Sequence, residues 1–223
     1  MSSPTSSACL RVSLAVFIGL LAAQTASASL LTIGDPSFEG VSLGAGGFTS
    51  GSYAANSWNS NSNAGILRPT ASEYPGGAPD GVNVAYSNSG AVIDQVLSAT
   101  LTANTTYTLS VDVGSRLDGP FNNGYSIELL AGGVLLSQTT NVPAPTNGSF
   151  VLATDVYTAG ASDPHLGQAL EIKLVSANTG QTSFDNVTLN AAAVPEPSSL
   201  MLLGLAATGA GLFRRRGKSR ETK

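Results

Sequence analysis

The chain has 223 residues, and its hydrophobic fraction of 42% provides enough apolar surface for one sizeable core. Its 25 glycines and its aromatic fraction of 6% favour short strands joined by turns over long helices. Between residues 29 and 193, twelve carboxylates face three basic side chains, a net charge of −9. This acidic segment excludes the basic surface that nucleic-acid binding requires.

Residues 1–28 have the pattern of a secretory signal peptide. Arg11 supplies positive charge, residues 10–23 form an apolar stretch, and Ala26 and Ala28 provide a small-x-small cleavage site. We expect the mature chain to begin after Ala28, with an uncleaved anchor helix as the alternative. Cys9 is the only cysteine and lies in this leader, so the mature chain would have no thiol for a disulfide, a nucleophile or a metal site.

The central segment, residues 29–193, shows the period-two alternation of β-strands. It is clearest at residues 106–113 and recurs at 126–129 and 170–174. Further strands are predicted at residues 82–86, 92–97, 134–139, 150–157 and 183–189, and a long polar loop at 44–63. Eight to ten such strands, separated by Gly, Pro and Asn, predict an all-β fold, an antiparallel sandwich of two sheets.

Short motifs along this segment resemble those of galactose-binding-like sandwiches, a group that includes many carbohydrate-binding modules. In chain order they are Asp35-Pro36-Ser37-Phe38-Glu39, Trp58, Pro79-Asp80-Gly81, Asp94-Gln95 and Ser183-Phe184-Asp185-Asn186-Val187. The resemblance implies jelly-roll strand order and a domain that associates with polysaccharide.

The same resemblance implies a structural calcium ion. In those modules an acidic residue near each end of the domain often shares the ion, and Glu39 and Asp185 stand at the matching motif positions. Neighbouring first and last strands would bring the two together, and a hard cation takes oxygen ligands. The alternation changes parity between Phe184 and Val187, which predicts a bulge beside Asp185. In the alternative, both carboxylates are solvated acids at strand ends.

Sugar binding by such folds usually needs exposed aromatic platforms. The candidates are Trp58, Tyr53, Tyr74 and Tyr86, although a lone Trp in a sandwich more often lies in the core. Arg68 and Arg116 could hold anionic sugars, or they could simply neutralise neighbouring acids.

The sequence gives little support to catalysis. His165 is the only histidine and lies in a turn-like polar segment, and neither Gly-x-Ser-x-Gly nor His-Glu-x-x-His occurs. We therefore expect that the protein is not an enzyme, with no catalytic residue. A glycoside hydrolase using two carboxylates is a less favoured alternative.

The C-terminal region has three parts in a fixed order. Val194, Pro195, Glu196 and Pro197 precede the apolar residues 200–213, and Arg214, Arg215 and Arg216 follow them. Fourteen residues form about 21 Å of helix, a marginal transmembrane span. The arginines should stay cytoplasmic. We assign 194–217 to a sorting and anchor segment and 218–223 to a basic cytoplasmic tail.

This order resembles the PEP-CTERM sorting signal of Gram-negative bacteria. The resemblance implies recognition by exosortase, a membrane-embedded transpeptidase, and a link with exopolysaccharide and biofilm. It implies a protein that is exported, anchored transiently in the inner membrane, and then placed at the cell surface or outside the cell. A structural or adhesive biofilm protein without a glycan site is the first alternative, and an ice-binding protein is a weaker one.

Overall fold

The computed structural model describes residues 28–51, 57–119, 124–177 and 179–194. Every regular element within these ranges is a β-strand, which confirms the all-β prediction. The strands are β1 (Ala28–Leu30), β2 (Asn59–Ser60), β3 (Ala64–Leu67), β4 (Val84–Asn88), β5 (Val92–Thr100), β6 (Thr105–Ser115), β7 (Tyr125–Ala131), β8 (Val134–Thr140), β9 (Ser149–Ala159), β10 (Ala169–Ser176) and β11 (Gln181–Ala193). Sequence alternation missed β1 to β3, because strands of two to four residues are too short to show a period.

The strands form two sheets. The first sheet has the order β3-β4-β11-β6-β9, with β1 also paired to β11, and the second has the order β2-β5-β10-β7-β8. Neighbouring strands within both sheets are antiparallel. Side chains of both sheets share one buried cluster, so the two sheets pack as the predicted sandwich.

Period-two alternation places one face of each sheet in this core. On β6, Leu109, Val111 and Val113 are fully buried, and they meet Ile127 of β7 and Ile172 of β10 in the shared cluster. Burying each such side chain contributes roughly 1.5–3 kcal/mol, so the alternation itself supplies much of the free energy of folding.

Strand β11 contains the bulge predicted from its sequence. Its pairing with β6 shifts between Asp185 and Thr188, and Asn186 has a φ of 50°. Asn tolerates this left-handed conformation better than most residues. Phe184 and Val187 both face the core as a result, and Asp185 faces away from it.

Both ends of the domain meet at the C-terminal end of β11. Ala28 pairs with Ala192, and the Val194 amide donates a hydrogen bond of 2.7 Å to the Asn104 carbonyl. First and last strands therefore lie side by side, as expected. Residues 1–27 and 195–223, with most of the predicted signal peptide and nearly all of the sorting segment, lie outside the described ranges. Within those ranges no helix is long and apolar enough to cross a membrane.

Candidate functional site

The candidate site lies on the face of the first sheet that points away from the core. One cross-strand row on this face comprises Tyr86 of β4, Ser183 of β11, Gly114 of β6 and Phe150 of β9. The Phe150 ring lies across Gly114 and occupies the place where a Cβ would stand. Glycine at this position therefore lets an aromatic ring lie flat on the sheet.

A cavity of about 380 Å³ opens beside this row, and we call it the groove. Its apolar wall is formed by Phe48, Leu67 and Tyr86, and its polar end by Glu73, Asn88, Arg116 and Gln181. The Phe48 side chain is 67% exposed and meets the Tyr86 ring edge-on at 6.4 Å between centroids. The size and the mixed lining are typical of small-molecule sites.

Arg116 organises the polar end of the groove. Its guanidinium lies 2.8 Å from Glu73 and makes two parallel hydrogen bonds, of 2.9 and 2.7 Å, to Asp118. It also donates to Gln181 at 3.1 Å, and Gln181 donates to Asn88 at 3.0 Å. The hydrogen bonds from Arg116 lower the pKa of Asp118, so the pair stays charged at neutral pH.

Two buried hydroxyl groups lie close to the residues that line the groove. The Tyr74 ring packs against Phe150 at 4.4 Å. Its Oη lies beside the Oγ of Ser183 without the geometry of a full hydrogen bond, and neither atom has another partner among the described residues. Burial raises the pKa of Tyr74, while the nearby Ser183 hydroxyl and the Arg116 charge lower it by less. The phenol is therefore neutral under physiological conditions. Because buried polar groups are rarely left unpaired, these hydroxyls suit a ligand or ordered water.

Asp185 is the most perturbed carboxyl group of the site. It is fully buried and accepts hydrogen bonds from the amides of Asp80, at 2.9 Å, and Asn186, at 2.8 Å. Burial raises its pKa to about 7, because the two hydrogen bonds do not offset the loss of solvation, and the charges of Asp80 and Asp112 act in the same direction as burial. A carboxyl group that is partly protonated at neutral pH can act as a general acid.

The predicted calcium pair meets on one loop, residues 79–83. Glu39 accepts the amides of Val82 and Asn83, both at 2.7 Å, and Asp185 accepts that of Asp80. Carboxylates flanking a loop of backbone carbonyls are donors that fit a hard cation. No third acidic, His or Cys side chain completes a metal cluster in the ranges the structure describes. Calcium binding therefore stays a prediction, and Asp185 is buried rather than solvated.

The predicted aromatic platforms require a correction. Trp58, Tyr74 and Tyr86 are 1%, 1% and 6% exposed, and Tyr53 lies outside the described residues. Trp58 packs against Phe38 at 5.3 Å and donates to the Asp35 carbonyl at 3.0 Å. Its ring is buried because a large aromatic side chain stabilises a core more than a surface. The described rings are buried, so they do not offer the exposed platforms on which the predicted glycan binding depends.

Arg116 and His165 follow the simpler interpretations, and Arg68 bonds a backbone carbonyl rather than an acid. Arg68 donates to the Leu43 carbonyl at 2.7 Å, and Arg116 neutralises neighbouring acids. His165 donates its backbone amide to Asp163 within a loop. Sequence reasoning missed Phe48 and Glu73. A lone aromatic residue in a Gly- and Ser-rich loop was the one available signal for Phe48, and no sequence signal links Glu73 to Arg116.

Residues 29–190 match the HpiC1-like family, described as HpiC1 cyclase. Residues 193–216 match the PEP-CTERM protein-sorting motif. The second match confirms an exported protein of the exosortase-sorted type, anchored at the membrane through its C-terminus. No curated protein matches the chain.

Several solved cyclase structures from Fischerella sp. TAU resemble the domain. The Stig cyclase Fisc, in complex with (3Z)-3-(1-methyl-2-pyrrolidinylidene)-3H-indole, is 32% identical, covers 74% of this chain and 98% of its own, and has a TM-score of 0.65. Another cyclase is 29% identical over 77% of this chain and 100% of its own, with a TM-score of 0.70. A cyclase complex with 4-(1H-indol-3-yl)butan-2-one is 29% identical over 75% and 100%, with a TM-score of 0.68.

Carbohydrate-binding modules are more distant structural neighbours. Two of them are 15% and 11% identical, with TM-scores of 0.37 and 0.43, values too low to support a shared function. The prediction that the protein is not an enzyme is wrong, because both the family match and the cyclase structures point to a cyclase-type enzyme fold. The chain belongs to the HpiC1-like cyclase family.

Proposed function

We propose that this protein is an exported cyclase-type enzyme that binds a small aromatic molecule in the groove and uses Asp185 as its proton donor. Family membership supports the reaction class. Two related structures contain indole compounds, which supports an aromatic ligand. The apolar wall of Phe48, Leu67 and Tyr86 is suited to such a ring.

The buried carboxyl of Asp185 is the observation that carries the proposal. Gln181, Ser183 and Asp185 occupy alternate positions of β11 and face the same side of the first sheet. Gln181 lines the groove, and Asp185 lies four residues further along, roughly 13 Å away. The neighbouring buried hydroxyls of Ser183 and Tyr74 belong to the region between them. We infer that these hydroxyls, with water, conduct the proton from the carboxyl to the ligand.

The chemistry of a proton-initiated cyclisation balances without a further reactant. Protonation of a C=C or C=N double bond in the substrate creates a cation and leaves Asp185 as a carboxylate. A second π bond of the same molecule attacks the cation and closes the ring. Loss of a proton to the carboxylate restores both the acid and a neutral product, so the product is an isomer of the substrate. The groove contributes by holding the folded conformer of the substrate.

Binding is the first test. We expect 4-(1H-indol-3-yl)butan-2-one to bind the purified protein in isothermal titration calorimetry, and Phe48→Ala to weaken binding about tenfold by removing the exposed ring. Val96→Ala is the control, because Val96 is 59% exposed on β5 of the second sheet. Equal loss in both variants, or no binding at all, contradicts the proposed site.

Turnover is the second test. Incubation with indoles that carry an alkenyl side chain should give a new chromatographic peak of unchanged mass. Asp185→Asn should abolish the peak, because the amide has no acidic proton to give. Thermal melts of the variant distinguish loss of the acid from loss of the fold. Full turnover by a folded Asp185→Asn variant would show that another group supplies the proton.

Placement at the cell surface and association with exopolysaccharide stay predictions that the sorting motif supports. Cleavage by exosortase likewise fits the motif and awaits direct measurement.

A further inference from the structure

The polar end of the groove carries net negative charge. Glu73 and Arg116 line the groove, and Asp118 borders it through its hydrogen bonds to Arg116, so two carboxylates stand against one guanidinium. The other polar lining residues, Asn88 and Gln181, are neutral. Residues 52–56 and 120–123, which fall outside the described ranges, contain no Asp, Glu, Lys or Arg. These two segments therefore contain no positively charged side chain that could reverse the sign of the charge at the polar end of the groove.

Arg116 is fully engaged and is poorly placed to receive an anionic ligand. Its Nε and Nη2 bond Asp118, Nη2 also lies 2.8 Å from Glu73, and Nη1 donates to Gln181. Its side chain is 19% exposed, whereas that of Asp118 is 35% exposed. The Asp118 carboxylate is thus the more exposed of the two charges.

Two further features favour a cation. The exposed Phe48 ring presents a π face within the same lining as Glu73, and aromatic faces attract cations. The −9 charge of residues 29–193 adds a long-range field of the same sign.

We propose that the groove selects aromatic ligands that carry a positively charged nitrogen. This inference rests on the proposed function, since it names the substrate class of the same site. A groove of this charge would also stabilise the cation that forms when a neutral substrate is protonated, and it would repel aromatic carboxylates.

The test compares three indoles that differ in charge, using the full chain purified in a nonionic detergent at low salt and neutral pH. The probes are tryptamine, the neutral ketone 4-(1H-indol-3-yl)butan-2-one, and indole-3-propionate. We expect tryptamine to bind about three- to tenfold more tightly than the ketone, and the carboxylate to bind most weakly. Added salt should narrow the differences because it screens the charges.

Charge variants locate the origin of the preference. Asp118→Asn should bring tryptamine and the ketone to equal affinity, because it makes the cluster neutral while keeping one acceptor for Arg116. Glu128→Gln on β7 removes the same charge from the second sheet and should leave the preference unchanged. Glu73→Gln offers a second groove variant should Asp118→Asn fold poorly.

The outcomes separate the two proposals. Binding of the ketone without any preference for tryptamine overturns the charge selectivity and leaves the proposed function intact. Equal effects of Asp118→Asn and Glu128→Gln also overturn it, because the preference would then come from the overall charge. Failure of all three indoles to bind overturns the aromatic ligand site and the selectivity together.

Discussion

Glu39 and Asp185 hold one loop from two sides, although they lie near opposite ends of the domain. Glu39 accepts the amides of Val82 and Asn83, and Asp185 accepts that of Asp80. We call these three hydrogen bonds the clamp. A hydrogen bond to a charged group contributes about 1.5–3 kcal/mol, so the clamp is a substantial part of the stability of a small domain. The loop contacts Asp185 through the Asp80 amide, so these hydrogen bonds hold in place part of the environment that perturbs the pKa of Asp185.

Gly81→Ala should destabilise the domain by about 2–4 kcal/mol. Gly81 has a φ of 67°, and an added Cβ would overlap the Glu39 carboxyl group. Gly77→Ala is the matched control, because Gly77 has a φ of 77° and open space around it, so that variant bears the backbone strain alone, about 1 kcal/mol. Urea denaturation measures both. Equal destabilisation of the two variants would show that the Glu39 clamp contributes nothing.

The stability of the domain should fall as pH rises from 4 to 7. The pKa of Asp185 is raised from 3.8 to about 7 in the folded state, so the folded protein binds a proton that the unfolded chain has already released. The stabilisation is complete below pH 3.8 and is lost as pH rises through about 7, by at most about 4 kcal/mol.

Asp185→Asn should flatten this pH profile, since the amide does not titrate. The slope is the diagnostic quantity, because the variant also loses one hydrogen-bond acceptor and is less stable at every pH. Chemical denaturation at several pH values gives the slope. A wild-type profile that is level between pH 4 and 7 would mean that Asp185 titrates normally.

Calcium should raise the melting temperature if Glu39 and Asp185 bind it. A bound ion would keep Asp185 as a carboxylate and would therefore contradict its proposed role as the proton donor. Binding to the native state alone stabilises by about 2.7 kcal/mol at a hundredfold excess over Kd. The effect should be larger at pH 8 than at pH 5, because a cation competes with the proton on Asp185. Differential scanning fluorimetry with calcium and with EDTA measures this. Identical melting curves, or an unchanged response in Asp185→Ala, would exclude the site.

The sorting tail should be removed in the native host. The PEP-CTERM match covers residues 193–216, so mass spectrometry of surface protein should find a C-terminus near Pro195-Glu196-Pro197. A host without exosortase should retain the full tail. Detection of an intact Lys223 on protein from the native host would show that the segment serves as an anchor alone.

The strand pattern was predictable because local alternation determines which face of a strand is buried. The period-two run at residues 106–113 became β6, and the change of parity near Asp185 became the bulge of β11. The groove was not predictable in the same way. Glu73 and Arg116 meet only because a long loop folds over β6, a contact that no sequence spacing specifies.

The catalytic role proposed for Asp185 could not be predicted from the sequence, for a related reason. No sequence motif marks Asp185 as an acid catalyst, because its raised pKa comes from burial in the folded domain and from neighbouring charges. Trp58 and Tyr74 look like binding residues in a polar sequence, yet both are buried. Burial by distant loops is a tertiary property, and residue type alone does not reveal it.

Strand β11 also sets the distance between the groove and the start of the sorting segment. It begins at Gln181 in the groove and runs thirteen residues to Ala193, where the sorting motif starts. An extended strand of this length spans roughly 40 Å. The groove therefore lies at the opposite end of β11 from the residues where the sorting segment begins, so ligand binding and C-terminal sorting involve opposite ends of one strand.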